Sequence, residues 1–567
     1  MVWMNKKLRA PHKTCRAGLN LPYPLLKGQI LVEVRRMATV GMFGLLIAGF
    51  SGTVWAAETV QYKTQEATHN SDFFDSNVYN EGVNQLDLGR WGRRISGAAL
   101  PSKNVNIFDE VPDSGFFTNR QGRTRLSAEA LGTGFQETSG PDLSSPLQIM
   151  AAEQRGIYPR FWAKDARGDE YLLEFDPQGK FELVTGAEVV AARFYHALGY
   201  FVPQYTIAMI PADRFQATPD ATTWEETGFK KKLTQTRLEE YLAVLPQNEA
   251  GLYRASACKI LRGGYHGSFS FESRRKEDPT DLVNHRDHRE IRTLGIFAAW
   301  LNHYDLRESD TLDISVEENG QTVLTHYLGD FNGALGATQE GPKAPMLGYE
   351  HAIDYGETFK SVLALGFREK PWQKKWKQAG EQSLAAPAVG YFTNDLFDPA
   401  RYKAEFPYEA FRLVTRADGF WAAKLLLSFS DEDIKTMVGA GKYTDPADAA
   451  TLAKTLTERR DIITRYWLSR ANPLDGFSFS GGKLSFKDLA PQGGTVYSVE
   501  VLKENGKEKI TQFETKESVF DVPAGELPAN GEVRILIRVL RPSSKAASPA
   551  VTVRLNTAGI QGIRRED

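Results

Sequence analysis

Three aspartates stand in an order that phosphate chemistry can use. Asp305 closes the segment NHYD, Asp310 lies five residues on, and Asp330 opens Asp330-Phe331-Asn332 within YLGDFNG. Transfer of a phosphoryl group needs a carboxylate to orient the attacking hydroxyl, oxygen ligands for Mg2+, and a cation on the α- and β-phosphates of ATP. A carboxylate after a buried helix, a metal ligand five residues later, a β-hairpin and then an Asp-Phe unit is an order that meets those needs. Here the hairpin is expected over 311–328, with TLDISVE and TVLTHYLGDF flanking the turn Glu318-Asn319-Gly320.

The spacing resembles the HxDxxxxN and DFG pattern of protein kinases, and more closely its compact version in HipA-type kinases and phosphatidylinositol kinases. Over most of residues 105–475 the chain also resembles a group of secreted bacterial proteins of unassigned function that share this kinase-like core. The matching segments are DEVPDSGFFTNR, KDARGDEYLLEFDP, TGAEVVAARFYHALGYFVP, FAAWLNHYDLRESDTLD, HYLGDFNGALG, FWAAK and NPLDGF. The resemblance implies ATP with Mg2+ or Mn2+ as cofactors. It gives Asp305 the role of catalytic-loop aspartate, sets Asp310 where a metal-binding Asn usually stands, and makes Asp330 the metal aspartate. Glu188 matches the glutamate that holds a phosphate-binding lysine, but that lysine's own position is Glu174, and two carboxylates there repel. Either a cation moves in from the adjoining strand, Arg160 or Lys164, or the protein is a pseudokinase that keeps the fold without transferring phosphate. Asn332 replaces the glycine of DFG and tolerates left-handed backbone angles better than most residues.

The elements that must carry these residues follow from hydrophobic period and turn signals. YPRFWAK, DARGD and EYLLEFDP predict a strand, a tight turn and a second strand. A register pairing residue 160 with 174 would set Arg160 beside Glu174 on one sheet face. TGAEVVAARFYHALGY predicts a helix, with Val189, Val190, Phe194 and Leu198 near helical spacing, Thr185 as N-cap and Gly199 near its end. YFVPQYTIAMIP predicts another strand, and HRDHREIRTLGIFAAWLNHYD a helix with an apolar face. Residues 340–475 read as mostly helical, with a capping box at Ser430 and Asp433. After Asn472-Pro473 the period falls to two, which predicts a β-sandwich over 476–558 and a polar tail. The expected class is α+β: a two-lobed kinase-like core (N-lobe 151–250, helical C-lobe 251–475), then an all-β sandwich domain with its tail (476–567), preceded by an export signal (1–57) and an irregular arm (58–150).

The export signal rests on basic residues up to Arg36 followed by an uncharged run, residues 37–57, with small residues at a peptidase site. That run is too short and broken for a membrane span, so a periplasmic or secreted protein with no transmembrane segment after processing is expected, an uncleaved anchor being the alternative. A hydrophobic content of 41%, an aromatic content of 11% and a formal charge of -2 describe an ordered globular chain without a nucleic-acid footprint. Cys15 falls in the signal, which leaves Cys258 as a buried small hydrophobe rather than half of a disulfide. His285, His288 and His303 lack zinc spacing, and the first two read as a solvated helix start. Gly263–Ser268 lacks the context of a Walker loop, and a nucleotide loop belongs near DARGD or the segment before it. Lys230, Lys231 and Lys232 read as a solvated helix face. The competing class is a non-catalytic binding or scaffold protein that presents its cleft and sandwich to an envelope polysaccharide or partner protein. A serine hydrolase finds no GxSxG elbow.

Overall fold

The computed structural model describes residues 62–567 apart from 97–98, 154–157, 225–228, 319, 371, 375–385, 524–526, 528–530 and 545. The expected export signal lies outside the described residues. The arm expected to be irregular is largely helical at its start: α1 (His69–Phe74), a π-helical turn (Asp75–Asn80), α2 (Glu81–Leu86) and α3 (Leu88–Ser96), with α4 (Ala128–Thr133) further on. Thr68 and Ser71 form a capping box that starts α1. Gly82, Gly89 and Gly92 lower the intrinsic helix preference here, and distant contacts compensate: Arg90 pairs with Glu409 at 3.4 Å and Glu81 with Arg412.

The N-lobe is built on β1 (Leu147–Glu153), β2 (Arg160–Lys164), β3 (Glu170–Phe175), α5 (Leu183–Leu198), β4 (Tyr205–Pro211), β5 (Phe215–Trp224), β6 (Lys230–Lys232), α6 (Gln235–Ala243) and β7 (Leu252–Lys259). Its seven strands lie in the order β4-β7-β3-β2-β1-β5-β6. Period-two alternation divides the sheet's faces. Trp162, Leu172, Ile207 and Cys258 pack with α5, while Phe161, Leu173, Phe175 and Ile210 pack with α6. Glu174 lies two residues after Leu172 and Arg160 two before Trp162, so both share the α5 face. Lys230–Lys232 is an exposed edge strand rather than a helix face. Helix α5 begins before Thr185 because the Asp176 carboxylate accepts from the amides of Glu182, Val184 and Thr185 at 2.9, 2.9 and 3.0 Å. Those otherwise orphaned donors are satisfied from outside the helix, and Thr185 Oγ1 donates to Asp176 instead of capping.

The C-lobe centres on α7 (Arg289–Leu301), fully buried along most of its length against helices Arg416–Leu427 and Pro446–Leu468. After a short strand β8 (Gly264–Tyr265), a 3-10 turn at His285–Asp287 leads into α7. His285 and His288 are buried there, not solvated, because each has an acidic partner: Asp281 at 2.8 Å and Glu290 at 3.1 Å. The expected hairpin is β9 (Thr311–Glu318) with β10 (Gln321–Leu328). Ser430 and Asp433 form the expected capping box.

The C-terminal region is all-β: a three-stranded sheet from Leu474 to Asp521 faces a five-stranded one ending in Gly559–Arg565, with Val499, Val501, Ile535, Ile537 and Val553 in the core. The segment read as a polar tail is thus that sheet's edge strand. It is tied to the C-lobe through Asp109, whose carboxylate accepts from Arg565 and Arg289, each at 2.7 Å. Burial alone would raise the Asp109 pKa, but the two guanidiniums outweigh it and hold it below the usual range. Among the described residues no helix is long and apolar enough to cross a membrane.

Candidate functional site

Between the lobes lies a cavity of about 560 Å3 whose walls include Arg160 and Glu174 from the sheet, and Tyr304, Asp305, Arg307, Asp330 and Asn332 from the C-lobe. Its size is that of small-molecule sites generally. Four of the seven residues singled out from sequence therefore meet at one place. Glu188 stands behind Glu174, and Asp310 behind Arg307. Lys164 is elsewhere: it occupies the opposite end of the hairpin, half-exposed and paired with Glu170 at 3.4 Å. The turn at 165–169 is at that far end too, whereas Tyr158 and Pro159, which lead into β2, line the cavity. Of the two places considered for a nucleotide loop, the segment before β2 is the one that adjoins the cavity.

The C-lobe wall is set by the end of α7. Asn302 takes a left-handed φ of 50° and closes the helix, its side chain donating to the Leu335 carbonyl at 2.9 Å. The buried Lys343 ammonium donates to the Asn302 carbonyl and lies 4.6 Å from the centre of the Tyr304 ring. Burial pushes Lys343 well below the ordinary lysine range, an effect the Asp305 charge partly offsets. His303 receives or donates a hydrogen bond with Tyr195 Oη at 3.1 Å and sits 3.6 Å from Asp305. Burial holds its pKa down at about 4, so the ring is neutral at ordinary pH. Arg307, two residues after Asp305, gathers the neighbouring carboxylates: Glu405 at 2.5 Å, Asp310 at 3.4 Å and Asp305 at 3.7 Å.

Asp330 itself, not Asn332, takes the left-handed conformation, with φ 54°. Phe331 is the fixed point of that turn, fully buried and stacked on Tyr195 with ring centres 5.4 Å apart. Gly333 lies so close to Asp305 that a Cβ there would stand 2.0 Å from a carboxylate oxygen. A glycine is thus required one residue later than the DFG pattern has it, for approach rather than for φ. Burial first, then the charges of Glu174 and Asp305, raise the Asp330 pKa to about 7, with Arg160 and Arg307 working against that rise. Asp310 is also pushed well above its ordinary value, by burial foremost and by Asp330 and Asp305, against the pull of Arg307.

The N-lobe wall has a different chemistry. Register brings Arg160 Nη1 to 3.1 Å from Glu174, both largely buried. Glu188, wholly buried on α5, accepts from Ser256 Oγ, and burial with the adjacent Glu174 drives its pKa far up. The consistent state is a protonated Glu188, with Arg160 set against Glu174 beside it.

A phosphate-bound divalent cation fits this donor set. Asp305 and Asp330 reach the cavity, and among the described residues Asp305 Oδ1, which can face a cation, and Asn332 Nδ2, which can donate to a phosphate oxygen, are buried there without a hydrogen-bond partner. Among the described residues no three His, Cys, Asp or Glu side chains form a metal cage, but Mg2+ in nucleotide sites takes only one or two carboxylates from protein, with phosphates and water supplying the rest. Arg307, Lys343 and the arm's His69 and Asp72 were not foreseen from sequence. Asp72 accepts from Ser309 N at 2.9 Å and from Tyr408 Oη at 2.8 Å, which fixes the loop between Asp305 and Asp310.

No family model and no curated protein matches the chain. Two kinases resemble it. The Helicobacter pylori proinflammatory kinase CtkA is similar at a TM-score of 0.30 and 10% identity, over 58% of this chain and 99% of that one. The Golgi casein kinase is similar at a TM-score of 0.28 and 8% identity, over 74% of this chain and 94% of that one.

Proposed function

We propose that this cavity binds the phosphates of a nucleoside triphosphate with Mg2+ or Mn2+, and that the protein is an exported, atypical phosphotransferase of the cell envelope. The observation that carries the reading is Arg160: a guanidinium enters the cavity from β2, on the same sheet face as Glu174 and close enough to Asp330 to lower its pKa. ATP and its cation would supply the transferable group and screen its charge. Asp305, oriented by Arg307 and backed by neutral His303, accepts a hydrogen bond from an incoming hydroxyl and turns its oxygen toward the cavity. Asp330, once ionised, and Asn332 provide oxygen ligands, with Asp310 held behind Arg307. Arg160 bridges Glu174 to the phosphates in place of the missing lysine, and a protonated Glu188 spares that corner a second negative charge.

One observation favours a second reading, a kinase-like scaffold without catalysis that binds an envelope protein or polysaccharide: Arg160 already has a carboxylate partner. Calorimetric titration with ATP and Mn2+ separates the two. Binding by the wild type that Arg160→Met weakens about tenfold supports the phosphotransferase. No binding by the wild type or by Glu174→Lys removes it.

A further inference from the structure

We propose that the recess between the arm and the outer face of the five-stranded sheet binds a stretch of acidic polysaccharide, one that carries carboxylate or phosphate groups. The recess measures about 1100 Å3, with Pro101, Val105 and Ile107 of the arm on one side and strands Val533–Leu540, Val551–Asn556 and Gly559–Arg565 on the other. That exceeds the roughly 300–1,000 Å3 usual for one small molecule and suits a length of polymer. Alternation along the strands sends Ile535, Ile537 and Val553 into the sandwich core and leaves Arg534, Leu536, Thr552 and Arg554 on the outer face. Five arginines line the recess, and they fall into two sets. Arg289 and Arg565 are held by Asp109, which stands 2.7 Å from each. Arg534, Arg554 and Arg564 have no such match. In the strand register Arg534 lies directly opposite Arg554, while Arg564, opposite Thr552, is diagonal to Arg554. Like charges set opposite each other destabilise a sheet. The acid beside that pair, Glu532, is divided between them, 4.0 Å from Arg534 and 3.4 Å from Arg554. Arg564 is exposed and pairs with no acid among the described residues.

The surplus of positive charge is built in rather than left over. The other two acids of the walls are turned to backbone amides, Glu566 accepting from Ala550 N at 2.8 Å and Asp567 from Ala417 N at 2.9 Å. Arg534 Nε is buried without a hydrogen-bond partner among the described residues. Glycines make room for both opposed guanidiniums: a Cβ at Gly562 would strike Arg554 Nη2, and one at Gly506, where φ is 67°, would stand 3.0 Å from Arg534 Nη1. The walls also select among anions. No aromatic side chain lines the recess, which removes the stacking that holds nucleic-acid bases. An extended peptide finds the edge of strand Gly559–Arg565 taken, because Ile563 N donates to the Ile107 carbonyl of the arm at 2.7 Å. A bilayer is too flat to enter. Guanidiniums grip carboxylate and phosphate oxygens in pairs, and Thr552 and Asn106 beside them offer hydrogen bonds to sugar hydroxyls. Binding there requires nothing of the cavity between the lobes.

Calorimetric titration with polygalacturonate, with a phosphate-bearing mannan and with neutral dextran is the test. The expected result is binding of at least one acidic polymer, weakened by high salt, and none of dextran. Which acidic polymer binds tells carboxylate from phosphate. Arg534→Gln/Arg554→Gln should lower the affinity about tenfold, with thermal unfolding unchanged or shifted upward because the opposed charges are gone. Glu532→Gln should raise the affinity, since it frees both guanidiniums. No binding of either acidic polymer, equal binding of dextran, or binding that does not respond to the two variants in these opposite directions overturns the proposal. So does polyglutamate bound as tightly as either polysaccharide, since the recess then reads charge alone.

Discussion

The two walls of the cavity solve the problem of buried charge in different ways. The C-lobe wall gathers carboxylates around a permanent cation, Arg307, and locks its backbone with a glycine that admits nothing larger against Asp305. The N-lobe wall has two glutamates where a lysine and a glutamate are expected, and balances them with a proton on Glu188 and with Arg160. A guanidinium cannot lose its charge at working pH, whereas a shared proton can leave. Both walls thus set a guanidinium against carboxyl groups that can give up a proton, Asp330 on one and Glu188 on the other, but Arg307 holds three carboxyl groups whereas Arg160 faces Glu174 with the Glu188 proton beside it.

Removing the cation is the strongest way to break that contrast. Arg160→Met strands Glu174 in a buried position and is expected to cost about 3–5 kcal/mol in denaturant unfolding, most of it recovered by adding Glu174→Met. If the single variant is as stable as wild type, the two walls do not differ as described. Gly333→Ala probes the other wall: its Cβ must displace Asp305, at a cost of about 1–3 kcal/mol with loss of any Mn2+-dependent nucleotide binding.

Titration sharpens the comparison. Asp330 has a folded pKa of about 7 against an ordinary 3.8, so the folded state keeps a proton that the unfolded chain gives up between those values. Its contribution to stability is complete below the lower pKa and is lost as pH rises toward 7, while affinity for a divalent cation rises over the same range. Asp330→Asn should make the fall in stability shallower, leaving the part due to Glu188 and Asp310, and a fall as steep as wild type's would exclude this assignment. The smallest effect is expected at Glu188→Gln. A neutral isostere of a group already held neutral should change stability by no more than about 0.5 kcal/mol, and a loss of several kcal/mol would mean that Glu188 is ionised.

The N-lobe wall was the more legible of the two in the sequence. The hairpin DARGD fixes register by local turn geometry, so the meeting of Arg160 with Glu174 follows from counting along two strands. Helix α5, strand β4, helix α7 and the β9–β10 hairpin were readable for the same reason, since their period is written in consecutive residues. What depends on distant partners was hidden. Helix α5 starts early because of Asp176, His285 is buried because Asp281 receives it, and the glycine-interrupted helices of the arm persist because Asp72 and Arg90 find Tyr408 and Glu409. Lys343 carries no local signal at all, because its role depends on a carbonyl 41 residues earlier.

The pairing of Asp109 with Arg565 closes a loop of 456 residues. Such a contact forms late, because the entropy of closing so long a loop is regained only when both ends are already held by folded neighbours. Until residue 565 arrives, Asp109 has Arg289 but not its second cation, and the seam between core and sandwich stays open to water. A chain made from its N-terminal end would thus complete the seam between core and sandwich as one of its last acts.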